Sequence, residues 1–305
     1  MTPVILSAGD LSVHILTLGA IVQDVRLRGV DFSLTCGCNS LTEYQGACRL
    51  HGALIGPIAN RISNARVKIE SMMHELERNQ DGRIHLHSGK DGTHLQDWTI
   101  VTQSDDAVTL ELALPDGMCG LPGHRVIRAT YQVSAPACLT LDITGTSDTD
   151  TMMNFANHSY WNLDGSNEWS GHHLKINADR YLPITDDATP TGDIADVTGT
   201  QMDLRSGRAV HSGTDVFDHN FCLSDMRTEL RDVLELTGQN GLRMIMATTE
   251  PGLQIYDGRG TPTPYQGLAI EAQCWPDAPN NRKFPSIKLA AGDTYHQTTS
   301  WRFER

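Results

Sequence analysis

"VTLELAL", residues 108–114, and "LTLDIT", residues 139–144, decide the class of fold. In the first, Val108, Leu110, Leu112 and Leu114 take every second position; in the second, Leu139, Leu141 and Ile143 do the same. Successive side chains of a strand point to opposite faces, so each stretch gathers its apolar residues on one face. The same alternation recurs at Val67 and Ile69, at Leu174 and Ile176, and in "LRMIMATT" from Leu242. Turn-forming clusters separate these pieces: "LPDGMCGLPG", "SNARV", "TGQNG" and "GRGTPTP". Many short strands with frequent turn signals predict an all-β chain, a large sandwich or barrel. Helical periodicity is scarce, and one short turn is expected around Asn39 to Tyr44, with Asn39 or Ser40 as its N-cap. The polar, proline-punctuated stretch "YLPITDDATPTGDIADVTGTQMDLR" reads as an ordered irregular loop of the kind that carries function. With no repeat or linker visible, residues 1–305 read as a single domain.

Composition narrows the function. The chain has 305 residues, 39% hydrophobic and 20% charged, which suffices for a substantial core. A net charge of −13 disfavours nucleic acid and anionic membranes as partners, and weighs lightly against phosphorylated substrates. Seven cysteines are scattered at 36, 38, 48, 119, 138, 222 and 274. The odd number and irregular spacing read as free thiols in a reducing cytosol, and the Cys36/Cys38 pair as buried structural thiols. The N-terminal stretch lacks a basic region and carries Asp10, so it does not read as a signal peptide. No apolar run reaches the roughly 18 residues of a membrane span. A cytoplasmic protein is expected.

Several segments place polar groups where strands prefer apolar ones: "GPIANRI" with Asn60 and Arg61, "IHLHSGKDGTH" with His85 and His87, and "NFANHSYWNLDG" with His158. "DVFDHNF" with Asp218 and His219, "TTEPGLQIYDG" with Gln254, and "AIEAQCWPDAPN" with Glu271 complete the set. Alternation alone makes Glu271 an ordinary charge on the polar face of a half-exposed strand, beside Gln273 and Trp275. His85 and His87, two apart, would share a strand face and with Asp91 or His94 imitate the start of a cupin metal site. The further histidine such a site needs is only loosely imitated by His124. His172 and His173 point to opposite faces and do not ligate together. Taken together, neutral hydrogen-bonding groups, one imidazole and one carboxylate beside Trp161 and Trp275 suit a sugar, with its apolar ring face and rim of hydroxyls. An acid and a base suit a reaction in which one proton leaves as another arrives.

At these residues the chain resembles the aldose 1-epimerase (mutarotase) family, from about Gly19 to the C-terminus. "NRISNARV" is similar to the family's NRI segment, "LHSG" to LHGG, and "NHSYWNLDG" to NHTYFNL. "ADRYLPITDDATPTGDI" with "GTQMDLR" resembles the YLP/PTG loop, and "FDHNF", "TTEPGLQIY" and "IEAQCWPDAPN" with "FPSIKLAAGDTYHQTTSWRF" follow in family order. The resemblance implies a galactose mutarotase-like β-supersandwich, no metal and no cofactor, and interconversion of the α and β anomers of free aldoses such as galactose or glucose. By position it implies Glu271 as the general base on the C1 hydroxyl, kept ionised, and His158 as the acid that protonates the ring oxygen. His87 would assist, and Asn60, Arg61, Asp218 and Gln254 would hold the remaining hydroxyls. The chain departs from the family at Pro57, Thr93, Met118, Cys119, Leu121, Trp161 and Trp275, which leaves the identity of the sugar open. A relative acting on another sugar or sugar phosphate, a non-catalytic carbohydrate-binding β-sandwich, and a cupin-like metal enzyme are the alternatives.

Overall fold

The computed structural model describes residues 2–305. The two opening stretches lie in its largest sheet, on either side of one shared neighbour. Strand Ala107–Leu114 pairs antiparallel with Arg125–Ser134, which sets Val108 opposite Tyr131 and Leu110 opposite Ala129. Strand Cys138–Ser147 pairs with the other edge of Arg125–Ser134 and adds Leu141 opposite Tyr131 and Ile143 opposite Ala129. Directly opposed residues share a sheet face, so this register unites the apolar sets of three strands. All six of these residues are buried, whereas Leu112 is half-buried and packs at the margin of the core.

Nine strands make this sheet, in the order Arg208–Ala209, His173–Ile176, Arg231–Thr237, Arg243–Thr248, Thr294–Glu304, Cys138–Ser147, Arg125–Ser134, Ala107–Leu114 and Thr99–Gln103. Its inner face shares one apolar core with two further sheets. One has three strands, Val4–Ala8, Leu11–Leu16 and Ile21–Leu27; the other has six, in the order Tyr160–Trp161, Leu268–Gln273, Gly252–Tyr256, Asp218–Cys222, Arg180–Tyr181 and Ala195–Asp196. The architecture is therefore the all-β sandwich that alternation predicts. No helix among the described residues is long and apolar enough to cross a membrane.

The expected helical turn is Leu41–Tyr44. Ser40 Oγ accepts the Glu43 N–H, and the Glu43 carboxylate accepts the Ser40 hydroxyl at 2.7 Å and the Asn39 N–H at 3.2 Å, a reciprocal capping box. The cysteine expectation needs correction: Cys38 and Cys48 form a disulfide across this turn, while Cys36, Cys119, Cys138, Cys222 and Cys274 are free. The two histidines at 172 and 173 do face apart. His172 is fully buried, with Nε2 accepting the Leu163 N–H, and His173 is exposed.

Leu141 lies in the middle of the sheet and is 1% exposed. Leu141→Ala is expected to cost about 2–5 kcal/mol of stability through lost transfer energy plus a residual cavity. Urea unfolding followed by circular dichroism measures it, and a cost near zero would contradict the core placement.

Candidate active site

The six-stranded sheet has two chemically different faces. Along Leu268–Gln273, the residues Leu268, Ile270 and Ala272 enter the main core. Ala269, Glu271 and Gln273 point the other way. Glu271 is paired with Gln254, and Gln254 with Asn220, so a carboxyl and two amides run across three strands on one face. That face is not open to solvent, because every residue of Leu268–Gln273 is buried. The segment around Asn60, the turn at His87 and the long loop after Tyr181 cover it and leave a cavity of about 430 Å³.

All seven expected site residues line this cavity: Asn60, Arg61, His87, His158, Asp218, Gln254 and Glu271. Asn60 and His87 hold each other. The His87 N–H donates to the Asn60 carbonyl and the Asn60 N–H donates to His87 Nδ1, each at 3.1 Å. Both residues have positive φ, 67° and 53°, so both backbones bend at the cavity wall. With Nδ1 accepting, the His87 proton belongs on Nε2. The same bend overturns the shared face expected for His85 and His87. The strand ends at Leu86, and His85 turns away, with its Nδ1 at 2.8 Å from the Glu77 carbonyl.

His158 is held by its backbone, whose N–H donates to Ala53 O and whose carbonyl accepts the Gly52 N–H. Its Nε2 stands 3.6 Å from Glu271 Oε1, too far for a hydrogen bond. His158 Nδ1 and Glu271 Oε2 have no hydrogen-bond partner among the described residues. The two groups thus face each other through Nε2 and Oε1, while Nδ1 and Oε2 are the atoms left without a partner. Arg61 pairs with Asp218 at 3.2 Å and donates from Nε to Gln80; Gln254 Nε2 donates to Asp218 Oδ1 at 2.8 Å.

Burial sets the protonation. It pushes the Glu271 carboxyl up to about 8, helped by the nearby Asp218 charge and opposed by Arg61. Burial also drives His158 down to about 3. His87 is likewise held well below its ordinary value by burial, then by His158. Burial thus pushes both groups toward their neutral forms in the free site, against the ionised Glu271 that the resemblance implies.

The aromatic wall also needs correction. Trp161 is fully buried against Trp301 and Phe303 in the main core, and Trp275 packs on Phe284 with its indole N–H on the Pro251 carbonyl. The rings at the cavity are Tyr160 and Tyr256. Tyr160 stands 5.0 Å from the His158 ring. Gln273 is buried away from the cavity as well. Sequence reading named neither Leu50, Tyr256, Ile184 nor Arg259, all of which line the cavity. Ile184 lies in the loop singled out as functional; the others carry no local signal. The histidine cluster imagined around His85, Asp91 and His94 is not assembled. The donor atoms that do converge, within 4.8 Å of one another, belong to His87, His158 and Glu271.

Comparison with known proteins identifies the family and the fold. The family model for aldose 1-epimerase matches residues 4–302. The galactose mutarotase of Rattus norvegicus is 31% identical over 98% of this chain and 92% of its own length. The aldose 1-epimerase of Escherichia coli K12 is 32% identical over 88% of this chain and 84% of its own. Among solved structures, a GalM/aldose epimerase homologue from C. elegans superposes with a TM-score of 0.92 at 26% identity, covering 99% of this chain and 98% of that one. This chain belongs to the aldose 1-epimerase family. It is an isomerase of the mutarotase type, built on the galactose mutarotase-like sandwich.

The protonation of Glu271 can be read without turnover. An infrared carboxylic-acid band that is missing in Glu271→Gln should persist at pH 7 and vanish by about pH 9, since the carboxyl titrates near 8. Asp218→Asn removes a neighbouring negative charge and should move that midpoint downward. A band already absent at pH 6 would refute the burial argument.

Proposed function

We propose that residues 1–305 act as one domain and that Glu271 and His158 are the base and acid of anomer interconversion on a free aldose. The observation that carries this reading is the buried carboxyl and imidazole, 3.6 Å apart and each with an unpartnered atom. In the free site the pair holds one proton, on Glu271. Moving it to His158 yields a carboxylate and an imidazolium without any exchange with solvent. The carboxylate then takes the C1 hydroxyl proton while the imidazolium gives its proton to the ring oxygen. The C1–O5 bond breaks, the open-chain aldehyde turns about C1–C2, and closure on the other face returns both protons. His87, whose ring lies 5.4 Å from that of His158, supports the ring-oxygen side. Asn60, Arg61, Asp218 and Gln254 hold the other hydroxyls, and Tyr160 and Tyr256 offer aromatic surface.

A free sugar is favoured over a phosphorylated one. Both arginines of the cavity are already neutralised, Arg61 by Asp218 and Arg259 by Asp257. No cation there is left for a phosphate, and Asp186 adds negative charge. Galactose and glucose are the first candidates. We place the protein in the cytoplasm, as a monomer or weak homodimer, without nucleic-acid or membrane partners and without a cofactor. A metal reading keeps one supporting observation, the convergence of His87, His158 and Glu271. Elemental analysis decides it: stoichiometric metal, with activity lost to a chelator, would replace the proton mechanism.

Glu271→Gln and His158→Asn are each expected to lower kcat by about 10²–10⁴-fold while sugar binding survives, the range of general acid–base catalysis. Polarimetry of fresh α-D-galactose and α-D-glucose measures the rate, and a fully active Glu271→Gln enzyme would reject the base assignment. The pH profile follows from the shared proton. The one-proton state lies between the His158 value of about 3 and the Glu271 value of about 8. The rate should stay level from weakly acid to neutral pH and fall as the pair loses its only proton above about pH 8. A rate that climbs through that region would mean that the singly protonated pair is not the working state.

A further inference from the structure

The disulfide lies at the start of a segment that reaches the catalytic imidazole. Between Cys38 and Cys48 the chain makes the helical turn Leu41–Tyr44, and the buried Tyr44 hydroxyl accepts the Cys38 N–H at 2.8 Å. From Cys48 the contacts run on without a gap. The His51 N–H donates to the Cys48 carbonyl at 2.9 Å. Leu50 lines the cavity. The Gly52 N–H donates to the His158 carbonyl at 3.0 Å, the Ala53 carbonyl accepts the His158 N–H at 2.9 Å, and Asn157 Nδ2 donates to the Gly52 carbonyl at 3.0 Å. The His51 ring lies 4.5 Å from the Tyr160 ring, which also stands 5.0 Å from the His158 ring. His51 is 7% exposed, and its Nδ1 has no hydrogen-bond partner among the described residues. Packing against Tyr160, rather than a polar contact, is what its ring contributes.

We infer that the Cys38–Cys48 bridge and His51 form one positioning unit for His158, which makes anomerisation responsive to the thiol state of the protein. The inference rests on the assignment of His158 to that reaction. The bridge fixes where residues 49–53 join the cavity wall. His51 passes that position to His158 through Tyr160, and Gly52 and Ala53 pass it through the backbone. Neither residue touches the substrate. Cys48 is buried, but Cys38 is partly exposed and lines a surface cavity, so a dithiol reaches the bridge from that side. Its thiolate attacks one sulfur, its second thiol closes a ring disulfide, and the protein gains two electrons and two protons as two cysteine thiols. Disulfides in a mesophilic cytosol are mostly catalytic or redox-sensing, so a cytoplasmic location makes such a response more relevant.

The test compares full-length protein, oxidised and reduced with dithiothreitol, by polarimetry on α-D-galactose, with the redox state confirmed by mass. Reduction should lower kcat by about 3- to 10-fold and leave KM within about twofold, as expected when an acid is misplaced but the sugar subsites stay intact. The variant Cys38→Ser/Cys48→Ser should show the reduced rate and ignore dithiothreitol. His51→Ala should lose rate in the oxidised form and lose little more on reduction, because residues acting as one unit are not additive. His51→Phe, which keeps a ring against Tyr160, should restore most of it. Equal kcat in the two wild-type states, or losses that add in full in His51→Ala, would overturn the inference. The His158 imidazole resonances in ¹H–¹⁵N spectra separate this failure from that of the function. Oxidised protein that anomerises no sugar refutes the function, whereas resonances unmoved by reduction refute the positioning unit.

Discussion

A carboxyl placed in the middle of a strand that is buried on both faces governs the rest of this site. A charged Glu271 would need solvation that the interior does not provide, so it holds a proton unless a partner can take it. The partner is an imidazole subject to the opposite pressure, since burial disfavours its protonated form. Each group alone is a poor acid or base near neutrality. Together they form a pair in which the neutral arrangement is the resting state and the ionic one lies a single proton transfer away. In the proposed reaction, sugar hydroxyls that enter the gap and bond to both groups would meet the cost of the ionic form.

The fold supplies that environment cheaply. The apolar face of the six-stranded sheet is committed to the main core by Leu253, Ile255, Leu268 and Ile270, and this fixes the strands without help from the other face. Polar residues can therefore occupy the far face and be covered by loops. The loops are anchored by their own bonds: Asn60 with His87 through one backbone bond and one bond to the His87 ring, and Arg61 with Asp218 and Gln80. Most of the stability sits on one side of a sheet and the chemistry on the other, so residues of the cavity can be specialised with little loss to the core.

What sequence could disclose follows the range of the interactions involved. Alternation at Val108–Leu114 and Leu139–Thr144 is local, and so is the Ser40 cap; both were legible. Which strands become neighbours depends on pairings more than a hundred residues apart, as between Cys138–Ser147 and Thr294–Glu304, and no local pattern states them. Glu271 shows the limit well. Its face was readable, but its burial comes from loops elsewhere in the chain. The aromatic wall failed by a single position. Tyr160 and Trp161 are adjacent in one strand, so they point oppositely, and the larger ring went to the core. The bridge between Cys38 and Cys48 was hidden among five other cysteines, because only the turn between the two brings them together.

The cavity also shows why its charge count bears on specificity more than the overall acidity of the chain does. A net charge of −13 acts at long range and is screened within about 10 Å at ordinary ionic strength. Inside the cavity each cation has its own carboxylate, Arg61 with Asp218 and Arg259 with Asp257. A phosphate entering there would have to compete with these carboxylates for their arginines. A hydroxyl asks for no such exchange: it donates to Asp218 and accepts from Arg61 or Gln254 while their pairing persists. Local pairing, rather than global repulsion, is the feature that supports the proposed preference for a neutral sugar.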